Sequence, residues 1–350
     1  MLFGIGNVGS TLIKQIQAAK EHLEQSQLSI KVPVITNSKL AFFKSEGVDN
    51  NWETDFESFS FPYKVSDIIT FFKKKGYDNL IAVDATASSS FPQNYISLIE
   101  NGFHIVSANK IPNTLHYDFY RILRLSLKKN NKQFLYETNV GASLPIIETI
   151  RSLYASGETI TRIKGVFSGS LNYIFDRFSK SDTSFSDVLL EASELGFTEP
   201  DARVDLSGKD VARKLLILSR ELGLKLELED VYVESLVPKH LNGQTTFSEF
   251  KKRQNELNKP FQLLKNSQLA GQVLKYVGEL DVEKLKLTVK LKSVSKDSSI
   301  GKLSSTDNLF EIYTNNFSER PLIIQGSGAG KEVTARGLLS DINKLSHQLV

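Results

Sequence analysis

The chain predicts an α/β protein: a doubly wound parallel sheet, followed by an α+β region with a mostly antiparallel sheet. Three observations predict it. A G-x-G-x-x-G run, Gly4-Ile5-Gly6-Asn7-Val8-Gly9, stands directly before a helical stretch reaching from Ser10 to about Gln25. Short apolar runs then alternate with helical stretches of about 10–15 residues as far as Thr138, the pattern of βαβ units. Beyond it the alternation stops, and residues 284–294 (KLKLTVKLKSV) show the strict period of two that marks a half-exposed strand.

Each element follows from its residues. The first Gly of the motif permits a tight turn, the second lets a pyrophosphate approach the backbone, and the third lets helix and strand pack closely. A plain glycine turn would satisfy the same spacing; the apolar residues before it and the amphipathic helix after it favour a dinucleotide. Only Met1, Leu2 and Phe3 precede Gly4, fewer than the about 5–6 residues of an ordinary strand, so the first strand is expected to be clipped. A domain cut from a longer polypeptide, or a misplaced start, would explain this. Residues 29–36, 79–84, 103–107 and 133–136 read as strands, and 66–75, 92–101 and 115–130 as helices. Right-handed crossovers then give a doubly wound domain.

In the second half, 143–155 is helical and 159–167 a longer strand. Helices follow at about 171–179, 186–195 and 207–222, and 249–258 reads as a solvated helix or loop. Strands are expected at 310–314 and 322–325. Gly326-Ser-Gly-Ala-Gly330 leads into a last helix, 332 to about 347. The expected domains are 1–138 with 326–350 for the nucleotide, and 139–325 for catalysis and dimerisation.

Composition bounds the function. The 350 residues suffice for one large core or two domains; 40% hydrophobic and 24% charged residues are ordinary for a globular protein. A net charge of +3, with Lys and Arg scattered, points away from nucleic acid. The absence of Cys excludes disulfides, thiolate nucleophiles and Cys-ligated zinc, and the five His are far apart. No apolar run approaches the about 20 residues of a membrane span, and no signal peptide is seen, so a cytoplasmic enzyme without a membrane partner is expected.

Four stretches carry candidate chemistry. Val83-Asp84-Ala85-Thr86-Ala87-Ser88 ends a strand in small and hydroxylated residues, where open α/β sheets bind ligands; a strand-to-helix turn capped by Ser explains it equally well. Ser107-Ala108-Asn109-Lys110 ends the next strand, with Lys110 either solvated or turned into the same crevice. Glu137 to Ser143 supplies carbonyls and a carboxylate suited to a hard monovalent cation, although Ser143 and Pro145 also describe a helix start. The richest stretch runs from Glu194 to Lys214. Pro200 and Gly208 make 197–206 a loop carrying Glu199, Asp201 and Asp205, while Asp210 and Lys214 share a helix face at i,i+4. Carboxylates bind an ammonium and a lysine protonates or polarises an oxygen, which suits a zwitterionic substrate. On local grounds alone the better reading is a surface ion pair with an acidic loop, worth a few tenths of a kcal/mol.

With these residues in hand, the whole chain resembles the homoserine dehydrogenase family, especially the C-terminal dehydrogenase part of the bifunctional aspartokinase–homoserine dehydrogenases. FGIGNVGSTL, VDATAS, SANK, YETNVGASLPII, KGVFSGSLNYI, ELGFTEPDARVDLSGKDVARKLLILSRE and QGSGAGKEVTARGLLSDI carry the resemblance. It implies a Rossmann-type sheet with an α+β substrate and dimerisation domain, and reversible reduction of L-aspartate 4-semialdehyde to L-homoserine, in threonine, methionine and isoleucine biosynthesis. Lys214 then resembles the proton-donating lysine, Lys110 the second lysine, and Asp205 the carboxylate that pairs with the catalytic lysine. Glu199 and Asp210 match residues holding the substrate amine. Glu137, Val140, Ala142 and Leu144 match the site of a structural Na+ or K+. Gly4, Gly6, Asn7, Val8, Gly9, Asn37, Lys39, Thr86, Ser88, Lys110 and Gly330 fall at cofactor positions. The second strand ends without a carboxylate, and Lys39 can pair with a 2′-phosphate, so NADP(H) is expected over NAD(H). A homodimer or higher oligomer is implied. Kinase activity and threonine feedback are not expected of this chain. The alternative is a cofactor-binding paralogue or sensor without catalysis, for which two lysines would be superfluous.

Overall fold

The computed structural model describes residues 1–243 and 245–349. The chain forms two compact units, Met1–Ser143 with Gly330–Val350, and Leu144–Ala329.

The first unit opens with β1 (Leu2–Phe3), α1 (Asn7–Ala18), α2 (Lys20–Gln25), β2 (Val34–Thr36), β3 (Leu40–Phe43), α3 (Trp52–Phe59), β4 (Phe61–Pro62) and α4 (Val65–Lys75). It continues with β5 (Ile81–Asp84), α5 (Tyr95–Glu100), β6 (His104–Ser107), α6 (Tyr117–Lys129) and β7 (Phe134–Leu135). The sheet order is β4-β3-β2-β1-β5-β6-β7, parallel from β2 to β7, with β3 and β4 antiparallel at one edge. The chain winds one way from β1 to β2 and the other way to β5, so the carboxyl ends of β1 and β5 flank the point where the winding reverses. Ligands bind at that point in such sheets.

Strands β1 and β2 are two and three residues long; Leu2 stands opposite Ile35, and residues 29–33, expected as strand, are not part of β2. The carbonyls of Val32 and Pro33 bond instead to Val48 and Lys44 N–H groups. The β3–β4 edge and α3 were not foreseen. Their local signal is Asn37, whose Oδ1 accepts the N–H groups of Lys39 (2.8 Å) and Leu40 (2.7 Å) and reverses the chain.

The second unit contains α7 (Ile146–Ala155), β8 (Ile160–Val166), α8 (Gly169–Lys180), α9 (Phe185–Glu194), α10 (Arg203–Leu206), α11 (Lys209–Glu221) and β9 (Val231–Val233). After these come α12 (Phe247–Arg253), α13 (Asn258–Asn266), β10 (Gln272–Asp281), β11 (Lys286–Ser295), α14 (Ser299–Lys302), β12 (Asp307–Thr314) and β13 (Leu322–Ser327). The order β13-β12-β8-β10-β11-β9 is antiparallel except for β11 with β9. The expected loop over 197–206 holds the short helix α10. The expected strand over 284–294 is β11, and its ten-residue hairpin partner β10 was missed. Helix α11 buries Val211, Leu215 and Leu218, but also Leu216 and Ile217, because α7 packs on it as well as β9, β10 and β11.

The closing helix α15 (Lys331–Leu349) returns to the first unit. Its Ala335, Leu338, Leu339, Ile342 and Leu345 follow helical spacing and share one core with Leu2, Leu12, Ile13, Ile16 and Ile35. Among the described residues no helix is long and apolar enough to cross a membrane.

Candidate functional site

Three spacings shape the loop after β1. Gly4 has φ +89°, and a Cβ on it would lie 2.9 Å from Thr86 Cγ2 and 3.0 Å from the Ala85 carbonyl oxygen. A Cβ on Gly9 would meet the Gly4 carbonyl oxygen at 1.9 Å, so α1 can approach this closely only with Gly there. Gly6 is the opposite case: nothing lies within 4 Å of its missing Cβ, and as N-cap of α1 it offers no side chain to the first-turn N–H groups. The motif therefore leaves open space beside the uncapped start of a helix at residues 7–9, which fits a phosphate. At the end of β2, Lys39 is exposed on the Asn37 turn, and Tyr63 Oη donates to Thr36 Oγ1 at 3.2 Å.

Asp84, fully buried at the end of β5, organises the neighbouring loops. Its Oδ1 accepts the Thr86 N–H at 2.8 Å; its Oδ2 takes Tyr95 Oη at 2.8 Å and Asn109 Nδ2 at 3.1 Å. Asn109 Nδ2 also donates to the Ser88 carbonyl at 2.9 Å. Burial pushes the carboxyl of Asp84 up, and these donors pull it partly back. Thr86, Ser88 and the half-buried Lys110 are thereby fixed at the same end of the sheet. The sequence singled out none of these for this role: Asp84 and Asn109 stood inside quoted runs, and Tyr95 was not noticed. An acid at the end of an apolar strand was the one available signal.

Glu137 begins a turn in which its N–H donates to the buried Asp341 at 2.9 Å. Thr138 Oγ1 and Asn139 Nδ2 both donate to the Ser107 carbonyl, at 3.1 and 2.9 Å. Gly141 (φ 77°) and Ala142 (φ 52°) are both left-handed. Val140 and Ala142 are buried, and a Cβ on Gly337 would lie 3.0 Å from the Ala142 carbonyl oxygen. Leu144 is the first residue of the second unit. Gly330 stands at φ +111° with open space at its α-carbon.

In the second unit the acidic stretch leads into the helix that carries Lys214. This lysine is 7% exposed; its Nζ donates to the Phe167 carbonyl at 2.7 Å and pairs with Asp210 Oδ2 at 2.8 Å. Helix α11 starts at Gly208 in the left-handed region, where a Cβ would meet Tyr276 Oη at 2.1 Å. The resemblance paired the lysine with Asp205 and gave Asp210 to the substrate amine. In the structure the direct ion pair is with Asp210, one helical turn away. Asp205 lies across the Gly208 turn and accepts Ser170 Oγ (2.7 Å) and the Glu199 N–H (2.8 Å). Burial raises the Asp205 carboxyl, and the charge of Asp210 raises it further. Glu199 is thus fixed by its backbone and keeps an exposed side chain. Asp201 forms a two-point ion pair with Arg203 (2.9 and 2.6 Å), whose Nη1 donates to the Thr245 carbonyl at 2.8 Å; this brace holds the loop. A nearly dry ammonium group paired with a carboxylate can stabilise charge on a substrate oxygen and exchange a proton with it.

Residues 4–137 match the family model described as the homoserine dehydrogenase NAD-binding domain, and residues 145–342 the one described as homoserine dehydrogenase. A bifunctional aspartokinase/homoserine dehydrogenase of Buchnera aphidicola is 38% identical over 343 residues, which are 97% of this chain and 42% of that protein. The chain spans about two fifths of the length of the curated relatives it matches. A solved Candida auris protein of unknown function is 33% identical, with a TM-score of 0.89 over 99% of this chain and 98% of that one. A hyperthermophilic archaeal homoserine dehydrogenase, solved in complex with NADPH, has the same fold at 23% identity, with a TM-score of 0.73 over 100% of this chain and 97% of that one.

Proposed function

The chain belongs to the homoserine dehydrogenase family, and from that premise we propose that it catalyses the reversible reduction of L-aspartate 4-semialdehyde to L-homoserine, with NADP(H) as cofactor. The observation that carries this reading is the buried Lys214 ammonium group beside Asp210.

The nucleotide is held by the 4–9 loop and the Thr86 and Ser88 loop, with Lys110 at the end of β6 and Gly330 ahead of α15. The open space at Gly6 and the uncapped helix start support this. Asn37 and exposed Lys39, with no carboxylate at the end of β2, favour a 2′-phosphate over a bare ribose. The nicotinamide cofactor, when bound, supplies or accepts the hydride. Lys214 hydrogen-bonds the substrate oxygen and stabilises its negative charge more in the transition state than in the ground state. In reduction it gives that oxygen a proton. In oxidation it must take one, so homoserine oxidation is faster at alkaline pH. Glu199 and Asp210 hold the substrate amine; Asp210 also pairs with Lys214, and Asp205 positions Glu199 through its backbone N–H. A Na+ or K+ ion is held in the 137–142 turn by Glu137 and the carbonyls of Val140 and Ala142; the successive left-handed residues there support it. The enzyme works as a homo-oligomer in the cytoplasm, in threonine, methionine and isoleucine biosynthesis.

The test is purified chain with L-homoserine and NADP+ at alkaline pH, following reduced nicotinamide. The expected result is turnover that falls at least about 100-fold in Lys214→Ala while cofactor binding is retained. Cofactor binding without turnover in the folded wild type would overturn the enzyme in favour of a cofactor-binding sensor.

A further inference from the structure

Lys214 shares its carbonyl. Phe167, the first residue beyond β8, has a carbonyl oxygen that accepts Lys214 Nζ at 2.7 Å and Asn308 Nδ2 at 3.0 Å. The two lone pairs of one backbone oxygen are thus divided between the lysine and an amide from β12. Asn308 is fully buried, and its Oδ1 has no protein partner among the described residues. Turning the amide over would set that oxygen against the Phe167 oxygen, so the orientation is chemically forced.

The surroundings hold Asn308 in place. A Cβ on Gly328 would lie 2.3 Å from its Cγ and Nδ2, so the neighbouring segment closes directly on the amide. The preceding loop, with Ser305 at φ 59°, is gathered by Asn172, whose Nδ2 donates to the carbonyls of Ser304, Ser305 and Asp307 at 3.2, 3.0 and 3.3 Å. Buried Lys275 donates to Asn172 Oδ1 at 2.9 Å, lies 3.5 Å from Asp176, and also donates to the Leu303 carbonyl.

We propose that Asn308 is a positioning residue for the reaction: it fixes the direction of the Phe167 carbonyl, and so the place of the Lys214 amine between that carbonyl and Asp210. This rests on Lys214 being the proton-transferring lysine of the proposed reaction. Among the charged groups at the amine is Asp210, its ion-pair partner at 2.8 Å, whose charge also acts on Asp205. Without the Asn308 donor the Phe167 carbonyl is free to turn, and the amine loses a fixed acceptor beside its Asp210 pair.

Two variants test this. Asn308→Leu removes the donor at similar size. Asn308→Asp keeps the shape, replaces the donor by an oxygen, and adds negative charge near the amine. For Asn308→Leu, kcat of homoserine oxidation is expected to fall about 10-fold or more, with KM within about 3-fold and cofactor Kd unchanged, as for a catalytic group moved a fraction of an ångström. For Asn308→Asp, the alkaline limb of the oxidation profile is expected to move up by about one pH unit, because added negative charge favours the ammonium form. The Lys214 amine, titrated by NMR in lysine-labelled protein, should move with it whether or not turnover is seen. Wild-type kcat, pH limb and Lys214 titration in both folded variants would overturn the inference. A wild type that does not oxidise homoserine would overturn the proposed function instead; in that case an unmoved Lys214 titration in Asn308→Asp would overturn this inference as well, and a moved one would support the coupling.

Discussion

Gly6 and Gly9 stand three positions apart in one motif and answer to opposite constraints. At Gly9 the Gly4 carbonyl leaves no room for a methyl group, so Gly9→Ala is expected to destabilise the fold by about 3 kcal/mol, as overpacking against backbone does, measurable by urea unfolding. At Gly6 the backbone is ordinary and the space is open. Gly6→Ala should therefore keep the unfolding midpoint and weaken NADPH binding at least about 10-fold, as the methyl group takes the phosphate's room. An unchanged NADPH affinity in Gly6→Ala would place the pyrophosphate elsewhere. His104 shows a different single-residue constraint. It is buried, its Nδ1 accepts the Gln133 N–H at 3.1 Å, and burial, aided by Lys132, lowers its pKa to about 4. Below its unfolded pKa of about 6.5 the unfolded chain binds a proton that the folded one refuses. The stability is therefore full above about pH 6.5 and declines by roughly 3 kcal/mol as the pH falls through about 4. In His104→Asn, which keeps a neutral acceptor, urea unfolding across that range should lose this part of the slope.

Helices and strands differ in how far their own residues announce them. Helix α11 was legible because Val211, Leu215 and Leu218 recur at helical spacing, and the Asp210–Lys214 pair follows from that same spacing. Strand β10 was not legible, because Lys275 interrupts its apolar pattern and Gly278 stands in its interior. Both make sense only across the fold. Lys275 is satisfied by Asn172, Asp176 and the Leu303 carbonyl, and a Cβ on Gly278 would meet the Phe167 ring at 2.9 Å. The same logic marks Gly165 in β8, where a Cβ would come within 2.0 Å of the Leu309 carbonyl oxygen on β12. Gly165→Ala should therefore part β8 from β12 and destabilise the second unit by more than about 3 kcal/mol. Gly196→Ala, with φ 73° but open space, should cost only about 1 kcal/mol. Equal midpoints for the two variants in denaturant would contradict this reading.

Across the whole molecule, the nucleotide unit is discontinuous in sequence. Ala335, Leu338, Leu339, Ile342 and Leu345 of α15 complete a core whose other buried members lie before residue 107. A chain ending at Ala329 is expected to lose cooperative unfolding of this unit and NADPH binding together, read by calorimetry and by nucleotide fluorescence. In the full chain, cofactor at 100 times its Kd should stabilise the folded state by about 2.7 kcal/mol.

The glycine motif, the alternation of strands and helices, and the i,i+4 pair of Asp210 and Lys214 were open to reading from residues alone, because each is set by neighbours within a turn or two of chain. The partners of Asp205, Asn308 and Lys275 were not. Ser170 lies 35 residues before Asp205, Phe167 lies 141 before Asn308, and Asn172 lies 103 before Lys275. A buried polar group takes whichever donor or acceptor the packed chain brings within hydrogen-bond distance, and spacing along the sequence carries no record of that choice.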